Sequence, residues 1–137
     1  YLKLSGNIPK RKSLNPYLKV IAESSEQRCF YCGKPLTADV HVDHFLPWSF
    51  VLEDKLWNLV LACGGRSSCN LRKSDRIPDK ALTAKLVERN LGILRGNFGA
   101  SLRDHKDLRE WRTWDLTRHI EQLSTTALAE GFPPWQA

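Results

Sequence analysis

At 137 residues, with 42% hydrophobic and 26% charged residues, the chain fits one compact domain with a modest core. No apolar run approaches the ~20 residues that a membrane span requires, and no secretory signal pattern opens the sequence, so the expectation is a cytoplasmic protein with no membrane partner. The 21 Lys and Arg against 15 Asp and Glu leave a net charge of +6, which favours a polyanionic partner because each phosphate contact releases condensed counterions.

No Met occurs, even at position 1. The expectation is an excised or processed domain whose parent protein carries a further N-terminal region.

Residues 1–13 read as a polar, basic lead-in containing Lys10, Arg11 and Lys12. Asn15 followed by Pro16 predicts a helix start, with Asn as the cap and Pro at the first helical position. Tyr17, Leu18, Val20 and Ile21 give that helix one apolar face before Ser24 and Ser25. Cys29-x2-Cys32 then reads as a knuckle, with Gly33 permitting the tight turn behind the second thiol.

The stretch from Asp39 to Phe45 alternates at period two, a strand signal that Pro47 ends. A loop holding Ser49, Glu53 and Asp54 leads to a second strand candidate from Leu56 to Ala62. Gly64 and Gly65 force a loop, after which Ser67 or Ser68 can cap a helix beginning near Cys69 and ending by Pro78. Beyond Pro78 the periodicity is helical. Ala81, Leu82, Leu86 and Val87 predict one helix, broken around 90–99, and Leu108, Trp111, Leu116, Ile120 and Leu123 predict a longer one. The tail through Pro133, Pro134 and Trp135 cannot continue a helix.

All four cysteines fall into two short-spaced pairs, Cys29/Cys32 and Cys63/Cys69. In a reducing compartment such pairs read as a tetrahedral zinc site rather than as disulfides. Between them lies Asp43-His44: a hard oxygen ligand suited to Mg²⁺ or Mn²⁺ beside a base that titrates near neutrality. Adjacent strand residues point to opposite faces, so bringing both into one cleft requires a bulge or a strand end. Asn70, in the first turn of the following helix, supplies an amide oxygen as a second ligand, leaving positions for water and a phosphate oxygen.

The runs Val42-Asp-His-Phe-Leu-Pro-Trp48, Leu56-Trp-Asn-Leu-Val-Leu-Ala-Cys63 and Cys69-Asn-Leu-Arg-Lys-Ser-Asp75 resemble the HNH endonuclease family, over roughly residues 29–80. The stretches around Asp43-His44 and Asn70 to Asp75 also resemble the HNH domain of RNA-guided DNA-cutting effectors. The resemblance implies an α+β fold: a ββα-metal core with a four-cysteine zinc knuckle, flanked by N- and C-terminal helices. It implies that His44 is the general base, that Asp43 and Asn70 hold a catalytic Mg²⁺ or Mn²⁺, and that Asn58 orders the loop beside the site. The cysteines match the zinc-binding subset of the family, although the second pair there usually has two intervening residues where five stand here. A looped insertion before the helix cap is expected to absorb the extra length.

The expected organisation is a lead-in and helix over 1–24, a nuclease core with its zinc site over 25–80, and a helical extension over 81–137 packing on that core. Arg72 and Lys73 are expected as phosphate clamps, with a solvated helix face as the rival reading; His41 shares strand parity with Asp43 and so can line the cleft and touch phosphate or metal, with a partly exposed strand histidine as the equal rival. His105 and His119 read as plain surface residues, and Trp111 and Trp114 as helix-packing ones.

The function expected is hydrolysis of DNA, most naturally double-stranded, to 5′-phosphate and 3′-hydroxyl ends. The setting expected is a bacterial or phage restriction or defence protein. One site per chain cuts one strand, so double-strand cleavage calls for a homodimer, a larger assembly or two visits. The alternative is a catalytically inactive zinc-stapled module that binds nucleic acid.

Overall fold

The computed structural model describes residues 12–24, 27–36 and 40–137. Lys10, Arg11 and most of the basic lead-in lie outside these residues, as does the predicted strand start at Asp39. Helix α1 runs Asn15–Ser24, as the Asn-Pro start predicts. Strand β1 (Val40–His44) and strand β2 (Leu59–Cys63) form an antiparallel pair in unbroken register, with Asp43 opposite Val60 and His44 opposite Leu59. The predicted second strand thus starts three residues late, because Leu56–Asn58 form a 3-10 turn that leads into it.

Between the strands, where the sequence predicts loop, a short helix α2 covers Trp48–Val51. Helix α3 (Cys69–Lys73) follows the strand pair and is capped by Ser68, whose Oγ accepts from the Leu71 N–H at 3.2 Å. The strand–strand–helix unit is therefore a ββα finger, and the fold is α+β.

The flanking helices bury this finger. Strand β3 (Ile77–Pro78) leads to helix α4 (Lys80–Leu94), capped by Asp79. The sequence predicts a break at Asn90, yet α4 continues through it. Asn90 is buried and its Nδ2 donates to the Trp57 carbonyl at 2.9 Å, so a poor helix former is held by a tertiary bond. A short helix α5 (Ala100–Arg103) and the long helix α6 (Thr113–Ala129) complete the helical layer. The chain then returns as strand β4 (Pro134–Trp135), parallel to β3, with Trp135 buried edge-on against Tyr31 at 5.2 Å between ring centroids.

The core is continuous from finger to helices. It contains Phe45, Leu46, Leu56, Trp57 and Leu59 beside Leu86, Ile93, Leu116 and Ile120, all essentially without exposure. Each such aliphatic side chain stabilises the fold by about 1.5–3 kcal/mol when fully buried. No helix among the described residues is long and apolar enough to cross a membrane.

Candidate active site and metal centre

The four thiols converge. The Sγ atoms of Cys29, Cys32, Cys63 and Cys69 all lie within 4.8 Å of one another, and none forms a disulfide. A tetrahedral zinc with Zn–S bonds of about 2.3 Å sets its sulfurs roughly 3.8 Å apart, so the cluster fits that ion with little adjustment.

The knuckle is shaped by backbone bonds. Cys29 N–H donates to the Lys34 carbonyl at 2.9 Å, and Gly33 N–H donates to the Cys29 carbonyl at 2.8 Å, with Gly33 at φ +76°. Five residues separate Cys63 from Cys69, and the spacer turns through positive φ at Gly65 (91°) and Ser67 (63°). This brings the Cys69 N–H to 3.3 Å from Cys63 Sγ. The long spacer therefore closes the site.

The thiols do not share one electrostatic fate. Burial pushes Cys69 up to about 12, assisted by its thiol neighbours, and burial also raises Cys32. At Cys29 burial is outweighed by N–H donors from Cys32, Cys63 and Tyr31, and its pKa falls. Four thiolates in one small volume repel one another, and a bound cation is what would make full ionisation favourable. The Arg72 guanidinium adds positive charge by donating to Cys69 Sγ at 3.3 Å. The cluster is built for a structural metal such as zinc.

Around Asp43-His44 the strand alternation holds, with no bulge in the β1 register. Asp43 Oδ2 accepts from the Tyr31 hydroxyl at 2.6 Å and lies 3.2 Å from Lys73 Nζ. Burial, then the Asp43 charge, holds the Tyr31 phenol well above its ordinary pKa, so it stays a donor. His44 is the last residue of β1, and its Nε2 lies 2.7 Å from Asp54 Oδ1. The two side chains of the pair thus have different partners, and Lys73 joins them by also donating to the His44 carbonyl at 2.7 Å.

Lys73 differs most from the sequence expectation. It was expected to clamp phosphate, but it is completely buried and its ammonium is held between Asp43 and the His44 carbonyl. Burial lowers its pKa, against the opposing pull of Asp43. Arg72 is exposed on α3, and His41 is exposed opposite Ala62 on β1. Asn70 is half-buried in α3, three residues before Lys73.

Asn58 is buried and clasps one residue of the loop after β1. Its Oδ1 accepts from the Leu46 N–H at 2.8 Å, and its Nδ2 donates to the Leu46 carbonyl at 2.9 Å. Arg89 of α4 holds the same region from the other side, donating to the carbonyls of Leu59 (2.6 Å), Trp57 (3.1 Å) and Leu56 (3.2 Å). Burial brings its guanidinium pKa down to about 10. Nothing in the local sequence around Arg89 signals this role.

The remaining residues expected at the surface are part of the packing. His105 Nδ1 accepts from the Asp107 N–H at 3.1 Å, and His119 lies between the rings of Trp57 and Trp111. Trp111 is half-buried as expected, whereas Trp114 is 59% exposed, contrary to the packing role expected for it.

With this geometry in place, the class is an α+β finger stapled by four thiols, with a carboxylate–imidazole pair at its first strand end. Residues 29–79, which span that whole unit, match a family model described as HNH endonuclease. This segment is therefore similar to an HNH endonuclease core, a likeness that suggests nuclease chemistry. No curated protein and no solved structure matches the chain.

Proposed function

We propose that the chain is a DNA endonuclease domain in which His44 is the general base. The observation that supports this reading is the contact of Lys73 with Asp43 and with the His44 carbonyl, which ties the helix that carries Asn70 to the strand that carries Asp43 and His44. His44 takes a proton from water, and the resulting hydroxide attacks phosphorus in line with the departing 3′-oxygen. The P–O3′ bond breaks, and solvent protonates the leaving oxygen to give 5′-phosphate and 3′-hydroxyl ends.

Asp43 and Asn70 are the residues that would hold a catalytic cation. They are hard oxygen donors, and Asp43 Oδ1 accepts no hydrogen bond among the described residues, whereas Oδ2 is occupied by Tyr31 and Lys73. A bound Mg²⁺ or Mn²⁺ supplies charge neutralisation at the phosphate and at the leaving oxygen. The cleft of about 750 Å³ beside Asp54 is lined by Lys12, Lys55, Lys106 and Arg109 and equally by Glu53, Asp54, Asp107 and Glu110, so its cations lie at a mixed rather than a uniformly basic surface. Arg72 adds a cation on the exposed side of α3. One site cuts one strand, so double-strand cleavage uses two protomers or two visits. A restriction or defence protein is the setting that suits such a core.

Nicking of supercoiled plasmid with Mg²⁺ or Mn²⁺, against EDTA and His44→Ala, tests the reading. His44→Ala loses ~10²–10⁴ in rate while keeping its zinc and fold. Equal inertness of wild type and His44→Ala across several metals and substrates refutes it. A salt-sensitive DNA shift without cutting would instead define a zinc-stapled binding module.

A further inference from the structure

We propose that Asp54 is the positioning residue of His44, and that Tyr17 and Asp107, from outside the family-matched segment, hold Asp54 in place. The inference rests on the reading of His44 as general base.

An ionised carboxylate can only accept, so at 2.7 Å the His44 Nε2 must be the donor to Asp54 Oδ1. The contact therefore selects one tautomer, with the proton on Nε2 and the lone pair on Nδ1, and it fixes the rotation of the ring. Nδ1 is then the nitrogen that takes the proton of the attacking water. Loss of Asp54 removes this tautomer-selecting contact, and a smaller fraction of molecules would present a base in the right place.

Asp54 is itself held at its backbone. It lies in the loop between α2 and the 3-10 turn, where no strand ladder fixes it. The Tyr17 hydroxyl lies 3.2 Å from the Asp54 carbonyl and 3.1 Å from Asp107 Oδ2, its proton shared between two acceptors. The same Asp107 oxygen accepts from the Leu56 N–H at 3.0 Å. Burial and then Asp107 push the Tyr17 phenol up to about 12, so it remains a donor across the neutral range. The loop is thus tied at residues 54 and 56 to α1 and to the segment between α5 and α6. Asp107 is buried and Leu56 is fully so, which makes these ties rigid ones.

The test uses the zinc-loaded chain and Asp54→Ala, Asp54→Glu and His44→Ala variants in steady-state nicking with Mg²⁺ or Mn²⁺. Asp54→Ala is expected to lower kcat about 10- to 100-fold, the range typical for partners that orient a functional imidazole, with KM changed by less than about twofold. Asp54→Glu recovers part of the loss, and Asp54→Ala adds no further loss in the His44→Ala background. Ring ¹⁵N shifts of His44 are expected to report the Nε2–H tautomer in wild type and a mixture in Asp54→Ala. A wild-type kcat and an unchanged tautomer in Asp54→Ala overturn the inference, even where His44→Ala is inert and the nuclease reading stands. A loss of rate matched by a loss of folded protein, with the tautomer unchanged, reduces Asp54 to a structural residue and also overturns it. If wild type does not nick, the nuclease reading fails, and the tautomer comparison still decides whether Asp54 orients His44.

Discussion

Lys73 and Asp43 form a buried ion pair, 3.2 Å from Nζ to Oδ2, in which the lysine is wholly sequestered and the aspartate nearly so. The pair ties the last residue of α3 to the strand that carries His44, because the same ammonium also donates to the His44 carbonyl. Breaking it by removing one partner strands the other charge in the interior. Lys73→Met is therefore expected to destabilise the fold by about 3–5 kcal/mol. Urea unfolding of the zinc-loaded protein measures this, and a loss comparable to that of an exposed Lys→Met substitution would contradict the burial of the pair.

The thiol cluster predicts a stoichiometry. About one zinc per chain is expected to co-purify, and a strong chelator should unfold the finger because binding free energy at such a site is folding free energy. Cys63→Ser should be as damaging as Cys29→Ser, since both sulfurs lie in the same cluster. Atomic absorption and far-UV circular dichroism read both effects. A Cys63→Ser protein that keeps full zinc would remove that residue from the ligand set.

Asn58→Ala leaves the N–H and the carbonyl of buried Leu46 without their partner. Each stranded group costs about 1–3 kcal/mol, so a total of about 2–6 kcal/mol is expected. Nicking should fall as well, because the loop after His44 loses its clasp. Asn58→Asp keeps the acceptor but sets an acceptor-only carboxylate against the Leu46 carbonyl in the interior, so its stability should fall at least as far as that of Asn58→Ala when compared by thermal unfolding.

His119 gives the fold a pH dependence. Its ring centroid is 5.2 Å from that of Trp57 and 4.8 Å from that of Trp111, and burial lowers its pKa against the pull of Glu53. A folded-state pKa below the unfolded value of about 6.5 means that the unfolded chain binds more protons in the window between them. Its contribution to stability is complete above about pH 6.5 and is lost as pH falls through the folded pKa. Urea midpoints measured from about pH 7.5 down to 5 should fall more steeply for wild type than for His119→Phe. Equal slopes would show that this imidazole does not titrate differently on unfolding.

Much of the finger was legible in the chain because its signals are local. The spacing of Cys29, Cys32, Cys63 and Cys69 marks a metal cluster, the alternation from Asp39 to Phe45 marks a strand that the structure ends at His44, and Ser67 or Ser68 ahead of Cys69 marks a helix cap that the structure assigns to Ser68. Each depends on residue type and short-range geometry, which a sequence states outright. The start of α1 at Asn15-Pro16 was legible for the same reason. Where local propensity and tertiary bonding disagree, the reading failed: α4 runs through Asn90 because the Trp57 carbonyl takes its amide.

What the sequence by itself determined is the chemistry available to this protein: a four-thiol staple, and a carboxylate, an imidazole and an amide distributed over a ββα unit. Only the tertiary structure decided how those groups are used. It placed Lys73 in the interior rather than on a phosphate-facing surface, set Asp54 against His44, and brought Tyr17 and Asp107 together across 90 residues of chain. The reason is physical. Whether a lysine is a surface cation or a buried counter-charge depends on what packs around it, and for Lys73 that is the carboxylate of Asp43, the carbonyl of His44 and the ring of Tyr31, about 30 to 40 residues away in sequence.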